Sequence, residues 1–182
     1  GGALTDMKLV SISITESSLW LSTDGNATSS PGSGNLSWTD GEVVDFSNPN
    51  LSLGAGTTSG TFTTLFDIDT FTANGNADVK GLHFVNRALT VGTSNAVTLQ
   101  AGDVLFSVAA NETIGGVAVT DKEIVLFRPT TPGNYASGTF SVLINNPGGT
   151  NDKVRDFTIV DTAITIGGTN LQAGDVLLTM SS

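Results

Sequence analysis

Leu99-Gln-Ala-Gly-Asp-Val-Leu105 returns without a change as Leu171-Gln-Ala-Gly-Asp-Val-Leu177. Self-similarity of this kind decides an architecture before any single residue does. Working outward, Leu82-His-Phe-Val-Asn-Arg-Ala-Leu-Thr-Val-Gly92 parallels Phe157-Thr-Ile-Val-Asp-Thr-Ala-Ile-Thr-Ile-Gly167. Ser59-Gly-Thr-Phe62 pairs with Ser137-Gly-Thr-Phe140, and Thr39-Asp-Gly-Glu-Val-Val-Asp-Phe46 with Thr120-Asp-Lys-Glu-Ile-Val-Leu-Phe127. The offsets run from 72 to 81 residues, so insertions fall between the blocks, as they do in loops. Four collinear matches read as an internal duplication. Fainter copies extend it: Asp6-Met-Lys-Leu-Val10 resembles Asp78-Val-Lys-Gly-Leu82, and Leu19-Trp-Leu-Ser22 sits where Val104-Leu-Phe-Ser107 does. The order is ribbon, variable part, ribbon, variable part, ribbon.

The blocks read as strands. Lys8 to Ile14 alternates apolar and polar apart from Leu9, and Thr158 to Ile166 does much the same, which suits strands with one wet face. Val104–Val108 and Ile124–Phe127 are continuous apolar runs, which suit strands covered on both faces. Turn signals such as Asp24-Gly25, Asp40-Gly41, Asn74-Gly75, Gly115-Gly116 and Gly167-Gly168 separate them. Gly, Ser, Thr and Asn supply 80 of 182 residues, while Lys and Glu number only four each, so helix formers are scarce. The expected fold is an all-β, antiparallel β-sandwich built from the duplication. Residues 1–182 form one β domain: two repeats, about 4–98 and 99–170, and an extra C-terminal ribbon, 171–182. A propeller needs more blades than two repeats supply. An end ribbon of this kind closes a sheet, caps an array, or is offered to a neighbouring molecule.

Composition sets the chemistry that is open to the chain. Net charge is −10, carried by 13 Asp against four Glu, and the seven basic residues form no cluster. Nucleic acid is therefore a poor partner. No apolar run reaches the length needed to span a bilayer as a helix. Without Cys there are neither disulfides nor thiolate metal sites, and with His83 as the sole histidine no His-based metal site can be built. His83 reads as an exposed or edge-strand residue. No Gly-x-Ser-x-Gly elbow or phosphate-binding Gly-rich loop is present. A carboxylate pair of the glycosidase type stays open in principle but has no motif behind it. The chain is expected not to be an enzyme.

Three features carry binding chemistry. Asp67-Ile-Asp69, followed by Asn74, Asn76 and Asp78, leaves a strand and enters a Gly/Asn loop, where oxygens can converge on a hard cation such as calcium. The matching stretch, Asn145-Asn146 and then Asn151-Asp152, keeps the donors but loses charge; Asn145 and Asp152 are its candidates. Ordinary turn chemistry explains the same residues equally well. Asp103 and Asp175 recur after Ala-Gly, where a carboxylate that accepts backbone N–H bonds holds a turn. Trp20 and Trp38 read first as core residues, Trp20 most clearly within Leu19-Trp-Leu21; Trp38, flanked by Ser37 and Thr39, is the better candidate for an exposed platform that stacks on a sugar ring.

Gly102-Asp-Val-Leu-Phe-Ser107, Phe127-Arg-Pro-Thr-Thr-Pro-Gly133 and Ser137-Gly-Thr-Phe-Ser141 resemble tandem repeats of very large secreted bacterial surface proteins. The resemblance covers most of residues 37–180; Phe46-Ser-Asn-Pro49 departs from the Phe-x-Pro-Thr form. It implies an extracellular or cell-surface setting and a structural or adhesive role. The partners would be the chain itself by β-strand addition, neighbouring modules, or glycans. The alternative reading is a calcium-dependent carbohydrate-binding module.

Overall fold

The computed structural model describes residues 9–15, 18–29, 36–49, 59–149 and 152–181. Over these the chain is all-β, with a single 3-10 turn at Ile68–Phe71. The first antiparallel sheet takes β1 (Leu9–Thr15) and β2 (Ser18–Thr23), then, past a hairpin of β3 (Ala27–Thr28) and β4 (Ser37–Trp38), β5 (Glu42–Ser47) and β6 (Thr61–Asp67). Its order is β1-β2-β5-β6.

The next stretch repeats this plan. It holds β7 (Val79–Phe84), the hairpin β8 (Leu89–Val91) and β9 (Val97–Leu99), and β10 (Val104–Val108). A second hairpin, β11 (Glu112–Ile114) and β12 (Val117–Val119), leads to β13 (Glu123–Thr131) and β14 (Asn134–Asn145). The sheet order is β7-β10-β13-β14, the counterpart of the first. The last stretch gives β15 (Lys153–Ile159), the hairpin β16 (Ile164–Ile166) and β17 (Thr169–Leu171), and β18 (Val176–Ser181). Here β15 pairs with β18 alone among the described strands.

Alternation along the strands turns these sheets into a sandwich-like stack. One face of the central sheet carries Val104, Phe106, Val125 and Phe127, which pack against Trp20, Val43 and Phe66 of the first sheet. The other carries Leu105, Ile124 and Leu126, which pack against Val154, Phe157 and Ile159 of the third. Every residue of β10 is buried, because both of its faces are covered. A fully buried Phe such as Phe106 or Phe127 contributes about 2–3 kcal/mol by leaving water. A third cluster, Leu21, Trp38 and Val44 with Phe46 and Phe62, lies on the far face of the first sheet.

Matched blocks make matched bonds. The Thr39 N–H donates to Glu42 Oε2 at 2.7 Å, and the Thr120 N–H to Glu123 Oε2 at 2.8 Å. From the same two turns, the Asp40 carbonyl accepts the Val79 N–H and the Asp121 carbonyl accepts the Val154 N–H, each at 2.9 Å. The first strand of each later sheet is thus pinned to the turn that opens the third strand of the sheet before it. The glycines of the Ser-Gly-Thr-Phe blocks do the same work in both places. A Cβ on Gly60 would lie 2.5 Å from the Phe46 ring, and one on Gly138 would lie 2.5 Å from the Phe127 ring.

Candidate interaction surface

The acidic turn after β6 engages its carboxylates with backbone N–H groups, a hydroxyl and a lysine. Asp67 caps the 3-10 turn, its Oδ1 accepting the Asp69 N–H at 2.9 Å. Asp69 Oδ1 accepts the Ala77 N–H at 2.7 Å, and Oδ2 accepts the Thr39 hydroxyl at 3.3 Å. Asp78 Oδ2 pairs with Lys80 Nζ at 2.8 Å, and Lys80 also grips Asp24. Burial raises the pKa of Asp67 and of Asp78 above the ordinary carboxylate value. The Asn74 amide donates to Glu112 at 3.4 Å, and Asn76 is exposed. Asn145 ends β14 opposite Glu123; Asp152 is half-buried ahead of β15, and Asn151 lies outside the described residues. Among the described residues, no three His, Cys, Asp or Glu side chains form a group that could hold a metal ion.

Two expectations are corrected by burial. Trp38 is not an open platform: it is 2% exposed, its ring stacks on Phe62 at 5.4 Å, and its Nε1–H donates to Thr23 Oγ1 at 3.0 Å. The β3–β4 hairpin folds it inward, so its polar neighbours face out while the indole closes a core. A groove of about 300 Å³ beside it is lined by Asn26, Thr28, Ser37, Thr39 and Glu42 as well as Trp38. His83 does lie on an edge strand, β7, but it is not exposed. It is buried between β7 and β15, with Nδ1 at 3.2 Å from the Thr158 hydroxyl and 3.5 Å from the Ile159 N–H. Its Nε2 is buried without a hydrogen-bond partner, and burial lowers the ring's pKa, partly opposed by Asp161.

The Gly-Asp turns act as the sequence suggests. Asp103 Oδ2 accepts the Gln100 N–H at 2.8 Å, and Asp175 Oδ2 accepts the Gln172 N–H at 2.7 Å. Around them the same two backbone bonds recur: Gly102 N–H to the Val85 carbonyl with Val85 N–H to the Asp103 carbonyl, and Gly174 N–H to the Val160 carbonyl with Val160 N–H to the Asp175 carbonyl. Gly102 and Gly174 hold φ of +94° and +92°, a left-handed backbone that favours glycine at both sites. One difference stands out. Asp103 is clamped by Arg128 from β13, whereas Asp175 is exposed.

That difference marks the surface on which the third layer stays open. The exposed large hydrophobic residues among those described are Ile164 (52%), Ile166 (55%) and Leu177 (39%). Their sequence counterparts Leu89, Val91 and Leu105 are all buried in the core between the second and third sheets. β18 bonds to β15 along one edge, while β2 and β10, at the same place in their sheets, each bond to strands on both edges. The alignment of Leu177 with Leu105 was the available sequence signal for this surface, but it becomes informative only once burial of the counterpart is known.

No helix among the described residues is long and apolar enough to cross a membrane. Comparison with protein-family models, with curated proteins and with solved structures finds no match to this chain.

Proposed function

We infer that the chain is a structural or adhesive β module of an extracellular surface, one that joins like modules through its third layer and has no catalytic role. The observation that carries this reading is the edge of β18 that no other described strand pairs with, beside exposed Ile164, Ile166 and Leu177, since apolar patches and unpaired edges are surfaces that soluble proteins usually cover or blunt. The acidic, Cys-free composition and the resemblance to secreted surface repeats support the setting. β-strand addition is the matching mode of association, because backbone hydrogen bonds give affinity and alternate side chains give register. Calcium enters this proposal as an ion that competes for carboxylates already engaged, Asp67 by the Asp69 N–H, Asp69 by Ala77 and Thr39, and Asp78 by Lys80.

Solution mass by light scattering, in EDTA and then in millimolar calcium, tests it. Concentration-dependent growth supports assembly through this surface, and growth only in calcium ties it to the acidic turn. A monomer at all concentrations in both conditions overturns self-assembly as the function.

A further inference from the structure

The central sheet shows what the third layer lacks. There β10 bonds to β7 on one side and to β13 on the other, with Val104 opposite Phe127, Leu105 opposite Leu126 and Phe106 opposite Val125. β13 continues into β14, and Arg128, next along β13, reaches back to Asp103 through Nε–Oδ1 at 2.9 Å and Nη2–Oδ2 at 2.6 Å. In the first sheet β5 and β6 hold the same position against β2. The third layer repeats everything up to that point: β15 and β18 for β7 and β10, the Gly-Asp turn, and the covering hairpin β16–β17 for β8–β9. Among the described residues, nothing stands where β13 and β14 stand.

We propose that the open side of the third layer is a docking site for one further unit of the Ala109–Ser181 kind. A ribbon of the β13–β14 pattern pairs with the free edge of β18 and places an arginine on Asp175. A following ribbon of the β15–β18 pattern covers Ile164, Ile166 and Leu177. This rests on the reading of the chain as a module that joins like modules, and it names the partner.

Three observations select that occupant over another protein surface. The geometry is used twice inside this chain, on β2 and on β10. The charge is complementary: Asp175 keeps its turn bond to Gln172 but, unlike Asp103, has no cation against it among the described ion pairs. The apolar pattern also fits, since Leu89, Val91 and Leu105 are buried where Phe157 and Ile159 lie over them. A carboxylate paired in bidentate fashion by a guanidinium fixes register as well as adding affinity, and the alternation of faces penalises a one-residue slip.

The test is an extended chain in which a second copy of residues 109–181 follows Ser181, compared with the unextended chain by amide hydrogen exchange. Expected is at least a tenfold slowing at Val176–Thr179 in the extended chain. That slowing should weaken when the added copy of Arg128 is changed to Gln or when Asp175→Asn is introduced. The unextended chain carrying Asp175→Asn supplies the baseline for that variant, because Asp175 also holds the Gln172 N–H. An added unit that folds while Val176–Thr179 exchange at their unextended rate overturns the proposal. If the added unit does not fold, a peptide of residues 120–146, spanning β13–β14, is titrated in trans, and absence of protection there overturns it as well. Protection of β18 that grows with concentration in the unextended chain and ignores Asp175→Asn assigns the edge to a second whole copy instead and also overturns it. Slowing in the extended chain while the unextended chain stays monomeric would uphold the docking site and reject self-assembly, so the two readings fail separately.

Discussion

Arg128 spans both carboxylate oxygens of Asp103, a side chain with 1% of its surface open, from a position on the neighbouring strand. Asp103 in turn holds the Gln100–Asp103 turn that starts β10. The pair therefore ties a turn to the strand that pairs with it, and a buried carboxylate is tolerated because charge and hydrogen bonds reach both oxygens.

Removing one partner should separate the two Gly-Asp turns. Arg128→Gln leaves Asp103 buried with only the Gln100 N–H, at a cost of about 2 kcal/mol, below the usual range for broken buried pairs because the arginine is itself a third exposed. Asp175→Asn, at the exposed counterpart, should change stability by about 0.5 kcal/mol or less. Urea unfolding of the two variants reads the contrast, and equal losses would contradict the assignment.

Gly138 and Gly60 supply a second paired comparison. A Cβ at Gly138 would collide with the Arg128 carbonyl and the Phe127 ring, and at Gly60 with the Phe46 ring and the Ser47 carbonyl. Backbone cannot yield as a flexible side chain does, so Gly138→Ala should destabilise by about 1–3 kcal/mol even though alanine suits a strand no worse than glycine. Gly60→Ala should lose less, because Phe46 is only half-buried whereas Phe127 is fully buried. Thermal melts of both variants check the order.

These two comparisons show what the sequence made legible. The strands, the turn role of Asp103 and Asp175, and the burial of Val104–Val108 and Ile124–Phe127 on both faces follow from pattern, because period-2 alternation and turn chemistry are local. The burial of Trp38 and His83 does not. Trp38 has polar neighbours because a two-residue strand exposes Ser37 on one side and buries the indole on the other. His83 looks like the wet side of an alternating strand, but the third sheet covers that side, and no local pattern announces a layer contributed by residues 75 positions away. The acidic loop is ambiguous in sequence for a third reason: an Asp that caps a turn and an Asp that binds a cation have the same sequence neighbourhood. The bonds that Asp69 accepts from Ala77 and Thr39 come from residues 8 and 30 positions away, beyond what a local pattern displays.

Burial of both indoles is directly measurable. Trp20 and Trp38 are 5% and 2% exposed, so iodide should quench the native fluorescence only weakly and quench the urea-unfolded chain strongly. Adding sugars should leave the emission unshifted if Trp38 serves the core. Trp38→Phe keeps an aromatic ring against Phe62 but drops the bond to Thr23, for a loss of about 1 kcal/mol. Trp38→Ala also empties the site, at about 3–5 kcal/mol.

His83 makes stability depend on pH in a calculable direction. Burial lowers its folded pKa below the ordinary 6.5, with Asp161 opposing the shift only in part. Above 6.5 the ring is neutral in both the folded and the unfolded chain, and the group contributes no slope. Below 6.5 the unfolded chain takes up a proton that the folded one refuses, so stability falls as pH falls, by at most about 1.4 kcal/mol per pH unit, until the folded pKa is reached. Asp67 and Asp78 act in the opposite sense and in a lower window. Their folded pKa values are raised above 3.8, so their contribution is present at low pH and is lost as pH rises through those values. Between pH 7 and 5.5 the histidine should therefore lower the melting temperature on acidification. His83→Gln should flatten that segment while preserving the slope set by the carboxylates below it. A wild-type melting temperature that stays level or rises between pH 7 and 5.5 would show that Nε2 finds a partner or water that tolerates the charge, against the closed joint seen between β7 and β15.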